Sequence, residues 1–300
     1  MSIHKHVASI NLDNYLALKA VNNPIFVSFT NDLLFLIADG NASEVSAPSW
    51  GLLPAGALRI VNVGEKIVFK AELSANVEEQ VGIGTFSITR NSDNATCTLH
   101  GTVMSLLYGD NAEGQFNVPA YSFKSLFSGC DLITGVLNPN IFWGLAFTFG
   151  AYSCQSMFSG CNNLLIGPQL QDHDGSAAGC FYGMYYGCDK LVVASTTFSR
   201  SVGSLAYAMM FDGCSSLRLN AVLPATAINA GGYRAMFRGC SYVNNIDLGL
   251  NDIQGNNDIA DMLVDTASTG TIKVSSTIKS KESTFRTLTG MPSGWTMTTT

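Results

Sequence analysis

The residues of this 300-residue chain with most capacity for chemistry are its eight cysteines and four histidines. Metal sites draw thiolates in close pairs, and no CxxC pair occurs. A disulfide framework belongs to small exported chains, which this is not. Five cysteines instead recur singly after a glycine: Cys130, Cys161, Cys188, Cys214 and Cys240, at intervals of 31, 27, 26 and 26 residues. One cysteine per repeat at a fixed apolar position behaves as a small buried hydrophobe. Cβ vectors that run parallel in a ladder do not give the dihedral angle of a disulfide. Packed, free thiols are the expectation.

The histidines are His4, His6, His100 and His173. The densest polar cluster is QDHDGS at 171–176, where Asp172, His173 and Asp174 could together touch a cation; a solvated loop between repeats is the simpler reading. Carboxylates recur near the Gly-Cys pairs as Asp131, Asp189 and Asp212. A glycosidase needs two carboxylates about 5 to 10 Å apart across a groove. Asp131 and Asp189 stand just after the cysteine and Asp212 two before it, so the three line no common row and fit the task of satisfying turn backbone. No GxSxG, HExxH, phosphate-loop or dinucleotide fingerprint occurs, and VGIGT at 81–85 lies in a strand-rich stretch with no helix after it. The expectation is a non-enzyme with no catalytic residue, no metal and no cofactor.

The elements that carry the cysteines repeat with them. SLFSGCDLI at 125–133, SMFSGCNNL at 156–164, GMYYGCDKL at 183–191, MMFDGCSSL at 209–217 and AMFRGCSYV at 235–243 align without gaps. Ahead of each Gly-Cys pair the apolar residues fall three and four apart, as Cys154, Met157 and Phe158 do, and this spacing predicts a short amphipathic helix. Gly129, Gly160, Gly187, Gly213 and Gly239 then stand where a helix needs a left-handed residue to stop it. Short β-prone runs follow, LLI at 164–166, LVVA at 191–194, LRLNAVL at 217–223 and IDLGL at 246–250. They predict strands that pair with their counterparts along a stack, the architecture that lets incomplete units share one core.

Flanking regions read differently. Between 24 and 105 β-rich runs alternate with turns, which predicts an antiparallel β-sandwich. Residues 1–23 hold a possible helix with Leu12, Tyr15, Leu16 and Val21 on one side that could dock on a partner protein; the alternative is a strand or helix packed on the sandwich. The extra residues of the first repeat interval fall near Phe142, Trp143, Phe147 and Phe149, candidate partner contacts or a cap on the stack. Residues 255–300 predict a C-terminal cap. The expected fold is α+β: segment 1–23, sandwich 24–105, repeat stack 106–254, cap 255–300.

Charged residues make up only 13% of the chain against an ordinary share of about 25%. A surface so poor in charge suggests an assembly, a homo-oligomer such as a trimer. The net charge of −6 and scattered Lys and Arg offer nothing to a phosphate backbone, so nucleic acid is not an expected partner. The longest apolar stretch, 141–152, is too short to span a membrane, and no export signal is read in the first residues.

MSLLYGD at 104–110, SMFSGC at 156–161, AVLPAT at 221–226 and GMPSGWTM at 290–297 together resemble the leucine-rich-repeat proteins of Bacteroides and their phages, over about 26–297. These are similar to BspA-like surface proteins with units of the MFxGC type. The resemblance implies an adhesive or binding role and no enzyme activity. It departs from the usual pattern in having one clear LPAT-type segment and a long first interval. Without an export signal, the phage branch is favoured: a virion structural protein, part of a head or tail appendage or fibre. Such a protein would join other virion proteins through residues 1–23 and meet a host surface glycan or protein. The alternative is a bacterial cell-surface adhesin; a glycan-degrading enzyme ranks third.

Overall fold

A computed structural model describes residues 9–46, 48–71, 83–90, 92–136, 141–142, 147–170 and 173–299. The described chain is mostly β with few helices, and its C-terminal region is a β-solenoid.

The N-terminal region contributes β1 (Ser9–Asn11), β2 (Leu16–Ala20), β3 (Ile25–Phe29), β4 (Leu33–Asp39), β5 (Glu44–Ser46), β6 (Gly51–Leu53), β7 (Arg59–Val61), β8 (Glu65–Lys70), β9 (Phe86–Arg90) and β10 (Cys97–His100), then the one-turn α1 (Ser105–Tyr108). The solenoid adds β11 (Asn117–Val118), β12 (Ile133–Val136), β13 (Phe147–Phe149), β14 (His173–Asp174), β15 (Asn220–Leu223), β16 (Asn245–Leu248), β17 (Thr269–Val274), α2 (Ser276–Ser280), α3 (Glu282–Thr289) and β18 (Gly294–Thr299).

Before the solenoid, β7, β3 and β9 form one antiparallel sheet, while β10, β2, β8, β4 and β6 form most of another. Leu16, Leu18, Ile67 and Phe69 from the larger sheet share a core with Val27, Phe29 and Phe86 from the smaller. The opposite face of the larger sheet is covered too, by Leu12 and Tyr15 over Ala17, Leu36 and Val68. Burial on both faces explains why β2 and β8 read as unbroken apolar runs with no alternation.

Of the readings for residues 1–23, that double burial fits the packed strand and not the helix. Leu12 opens a single 3-10 turn, and the chain then enters β2 between β10 and β8. Apolar residues on both faces of a central strand imitate the spacing of a helix face, and pairing on two edges outweighs local propensity. Residues 12–20 are therefore part of the sheet core rather than a free docking surface, and residues 1–8 lie outside the described ones. The larger sheet does not end at residue 105 either: β12, after the first Gly-Cys pair, pairs parallel with β10 and extends it.

In the solenoid the expected helices are absent. The segments ahead of Gly-Cys are ribbons of turns in which residues four apart take positive φ: 121, 125 and 129; 152, 156 and 160; 179, 183 and 187; 205, 209 and 213; 231, 235 and 239. Backbone N–H groups then alternate. In the first ribbon Tyr121, Phe123, Ser125, Phe127 and Gly129 donate to carbonyls of the next coil at 2.7 to 2.9 Å, while Ser122, Lys124, Leu126 and Ser128 donate three residues back within their own. A ribbon with a four-residue turn period buries residues three and four apart as a helix does, which is why the apolar pattern was misleading. The left-handed reading of the glycines holds: the five lie at φ between +71° and +80°. They are the last of three such positions per coil rather than helix stops.

Two parallel ladders flank the ribbon. β11, β13 and β14 form one, extended by a single bridge from Gly175 to Val202. On the other side Gly135, Ile166 and Val193 join by single bridges, and β15, β16, β17 and β18 make a four-stranded sheet. Two of the four β-prone runs thus shrink to one bridge each. Inside, the rings of Phe86, Phe127, Phe158, Tyr185, Phe211 and Phe237 stack at 5.3 to 5.9 Å with planes 2° to 20° apart. The column starts in the N-terminal sheets, so one core runs from Leu16 to Met297.

Both ends of the ribbon stack are closed. At the start, Ile83 and Phe86 donate N–H bonds to the Ser122 and Leu126 carbonyls at 3.0 and 2.8 Å. At the far end stands a sixth ribbon inside the segment expected to be cap: Ile259, Met262 and Leu263 are buried at the 26-residue offset from Tyr233, Met236 and Phe237, with positive φ at Asp261 and Asp265. Asp265 and Thr266 replace the glycine and cysteine. Its Asp261 and Leu263 N–H groups end on the Leu288 and Thr289 carbonyls of α3, at 2.9 and 2.8 Å. A helix offers free carbonyls at its C-terminus but uses its interior N–H groups internally, so it accepts the last rung and demands no further one.

Candidate functional site

The Gly-Cys column is the most regular feature and its chemistry is structural. The thiols of Cys161, Cys188, Cys214 and Cys240 donate to the carbonyls of Phe127, Phe158, Tyr185 and Phe211, one coil back, at 3.0 to 3.1 Å. Cys130 reaches Phe86 in the N-terminal region at 3.4 Å. These carbonyls already accept an N–H from their own coil, so the thiol fills a second lone pair that a methyl group would leave dry. All eight cysteines are free and buried. Burial pushes the Cys130, Cys180 and Cys188 thiols up to about 12 and the Cys161, Cys214 and Cys240 thiols upward as well, far from the thiolate that nucleophilic or metal chemistry needs.

Phe142, Phe147 and Phe149 are 3%, 5% and 3% exposed, inside the chain's own core. They meet one another edge-on or tilted, and Phe149 meets Phe181 at 4.8 Å. Phe147 and Phe149 lie on β13, between β11 and β14, so these rings sit within the stack rather than at one of its ends. Trp143 lies outside the described residues, as does Asp172.

The aspartates near the turns do separate jobs. Asp131 accepts the Asn162 N–H at 3.1 Å, and the buried Asp212 pairs with Arg238 on the next ribbon. Among the described residues no group of three or more His, Cys, Asp or Glu side chains is placed to hold a metal ion.

A built depression lies elsewhere, where the first ladder breaks. β14 is the last strand of its sheet among the described residues and is followed by only the Gly175 to Val202 bridge, with residues 197–201 forming a loop in place of a further strand. The result is a groove of about 550 Å³ to which β13 and β14 contribute Thr148, His173 and Asp174, and the loop contributes Thr197, Arg200 and Ser201. Buried hydroxyls fix that loop. Ser195 Oγ accepts the Leu170 N–H at 3.0 Å and lies 3.1 Å from the Leu170 carbonyl. Tyr207 Oη accepts the Ser199 N–H at 3.1 Å and bonds His173 Nε2 at 2.7 Å. Ser199 Oγ accepts the Ser201 N–H at 3.0 Å. The backbone on either side of Arg200 is therefore held, while its side chain is exposed.

Charge in the groove is asymmetric. Both Asp174 carboxylate oxygens are engaged by Ser176, one by its N–H at 2.9 Å and one by its hydroxyl at 2.8 Å. Arg200 has no ion pair among the described residues. His173 packs edge-on against Phe181 at 5.1 Å and is buried, so it shapes the floor.

Of the cluster Asp172, His173 and Asp174, the structure brings His173 and Asp174 to a groove, where both are hydrogen-bonded. Residues 195–201 were missed because STTFSRS carries no motif; its one signal is a run of hydroxyls where neighbouring repeats have none so dense. No described helix is long and apolar enough to cross a membrane. Compared with known proteins, the chain matches no family model, no curated protein and no solved structure.

Proposed function

We propose that this chain is a non-enzymatic virion component of a phage, part of a head or tail appendage or fibre, that supports assembly and binds a host surface. In this reading the N-terminal sheets form a sandwich that joins the particle, and the solenoid is a leucine-rich-repeat variant of the BspA-like type. One observation carries it. The thiols of the Gly-Cys pairs and the aspartates Asp131 and Asp212 bond from one coil to another, while the non-repeating loop at 195–201 lines the groove. Repetition inside and variation outside is the signature of a presenting scaffold.

The test is immunogold labelling of purified particles with antibody against the solenoid, paired with competition of host adsorption by the purified protein. Labelled particles and reduced adsorption are expected. Label confined to the outer surface of bacterial cells would establish the adhesin alternative instead.

A further inference from the structure

We propose that the groove between β14 and residues 197–201 binds a carboxylate-bearing sugar, with Arg200 receiving the carboxylate; this rests on the reading of the chain as a surface-binding scaffold. Three observations converge. First, Arg200 has no ion pair among the described residues, while the Asp174 carboxylate beside it takes its hydrogen bonds from Ser176. A guanidinium presents its donors in a planar fork that matches a carboxylate in two parallel hydrogen bonds.

Second, the loop is organised before any ligand arrives. Tyr207 Oη and Ser199 Oγ hold the Ser199 and Ser201 N–H groups at 3.1 and 3.0 Å, and Ser195 Oγ lies 3.2 Å from the Thr197 carbonyl, so little ordering cost remains for binding. Third, the exposed lining is hydroxylic, with Thr148, Thr197 and Ser201 lining the same groove as Arg200. Hydroxyls donate and accept, as a sugar ring's hydroxyls require, whereas a hydrophobic ligand would leave them unpaired. The ring faces of Phe147 and Phe198 are buried, which disfavours a ligand that needs aromatic stacking. A net charge of −6 repels long polyanions in general, so recognition rests on one locally matched carboxylate.

The experiment is isothermal titration of the intact chain with trigalacturonate and with its fully methyl-esterified form, for the parent and for Arg200→Ala, Asp174→Asn and Arg218→Ala. The acid should bind the parent and the ester should bind roughly tenfold or more weakly, because the charge-assisted bond is lost. Arg200→Ala should remove that preference, Asp174→Asn should tighten the acid several-fold, and Arg218→Ala, outside the groove, should change nothing. Thermal melts of each variant separate lost binding from lost fold. Equal binding of acid and ester, unchanged binding by Arg200→Ala, or equally effective displacement by inorganic phosphate would each overturn the proposal. Absence of any binding to the parent would also overturn it, while particle labelling would still decide the scaffold reading.

Discussion

Two regions of the molecule answer the same structural demand in opposite ways. The ribbons at 121–130 and in the next five coils place apolar residues three and four apart against the core, and α3 likewise buries Phe285 and Thr289, four apart. The ribbons reach this by positive φ at every fourth residue and by sending alternate N–H groups to the next coil. The helix keeps its N–H groups to itself and ends at Gly290, φ +66°. Apolar spacing therefore reports which face is buried, while the destination of the backbone hydrogens decides whether a segment propagates a stack or ends it.

The largest effects should come from the aromatic column. Phe211→Ala removes a ring stacked between Tyr185 and Phe237 and leaves a cavity that coils on both sides border, so a loss of about 3 to 5 kcal/mol is expected in chemical denaturation. Phe285→Ala, in the last unit, borders the stack on one side only and should cost less. Equal costs would mean that the ribbons do not stack as a continuous column.

Titration should separate the N-terminal sheets from the solenoid. Burial, assisted by Lys66 and Lys19, pushes His100 down to about 4. A lowered folded value means that the unfolded chain takes up the proton first, so this stabilisation is complete above about 6.5 and is lost as pH falls toward 4. The buried thiols are shifted upward, so their contribution is present below about 9 and is lost as pH rises toward 12. Melting temperature should thus fall on both sides of neutrality. His100→Asn should flatten the acid limb and leave the alkaline limb unchanged.

Smallest but most diagnostic is a change of sign. Ser156 sits at φ +53°, a conformation that costs any residue with a Cβ, so Ser156→Gly should stabilise by about 0.5 to 1 kcal/mol. Ser283→Gly, at an exposed position inside α3, should destabilise by about 0.5 kcal/mol. Urea midpoints of the two variants relative to the parent provide the check, and a shift in the same direction would erase the distinction between ribbon and helix.

Much of this was legible in the residues. The period, the left-handed glycines and the buried cysteines all follow from five aligned copies, because Gly at positive φ and Cys in a tight core leave one residue type at a fixed offset. The sixth copy escaped because Asp265 and Thr266 stand where the glycine and cysteine would be, although Met262 and Leu263 keep the spacing. Ribbon and helix share their apolar offsets, so spacing alone does not separate them, and burial of β2 on both faces erases the alternation that would mark it as a strand. The groove left little trace, since it depends on Ser195 and Ser199 bonding backbone far from them in sequence or on their own loop. Its aspartate and histidine were visible, but their partners Ser176 and Tyr207 were not.

The most direct test of the ribbon is the sign of φ at Leu205, Met209 and Ala235, read from a crystal structure or from backbone coupling constants. Values near +56°, +55° and +50° are what alternate bonding between coils requires. Helical values near −63° through 205–213, with N–H groups bonded four residues back, would contradict it.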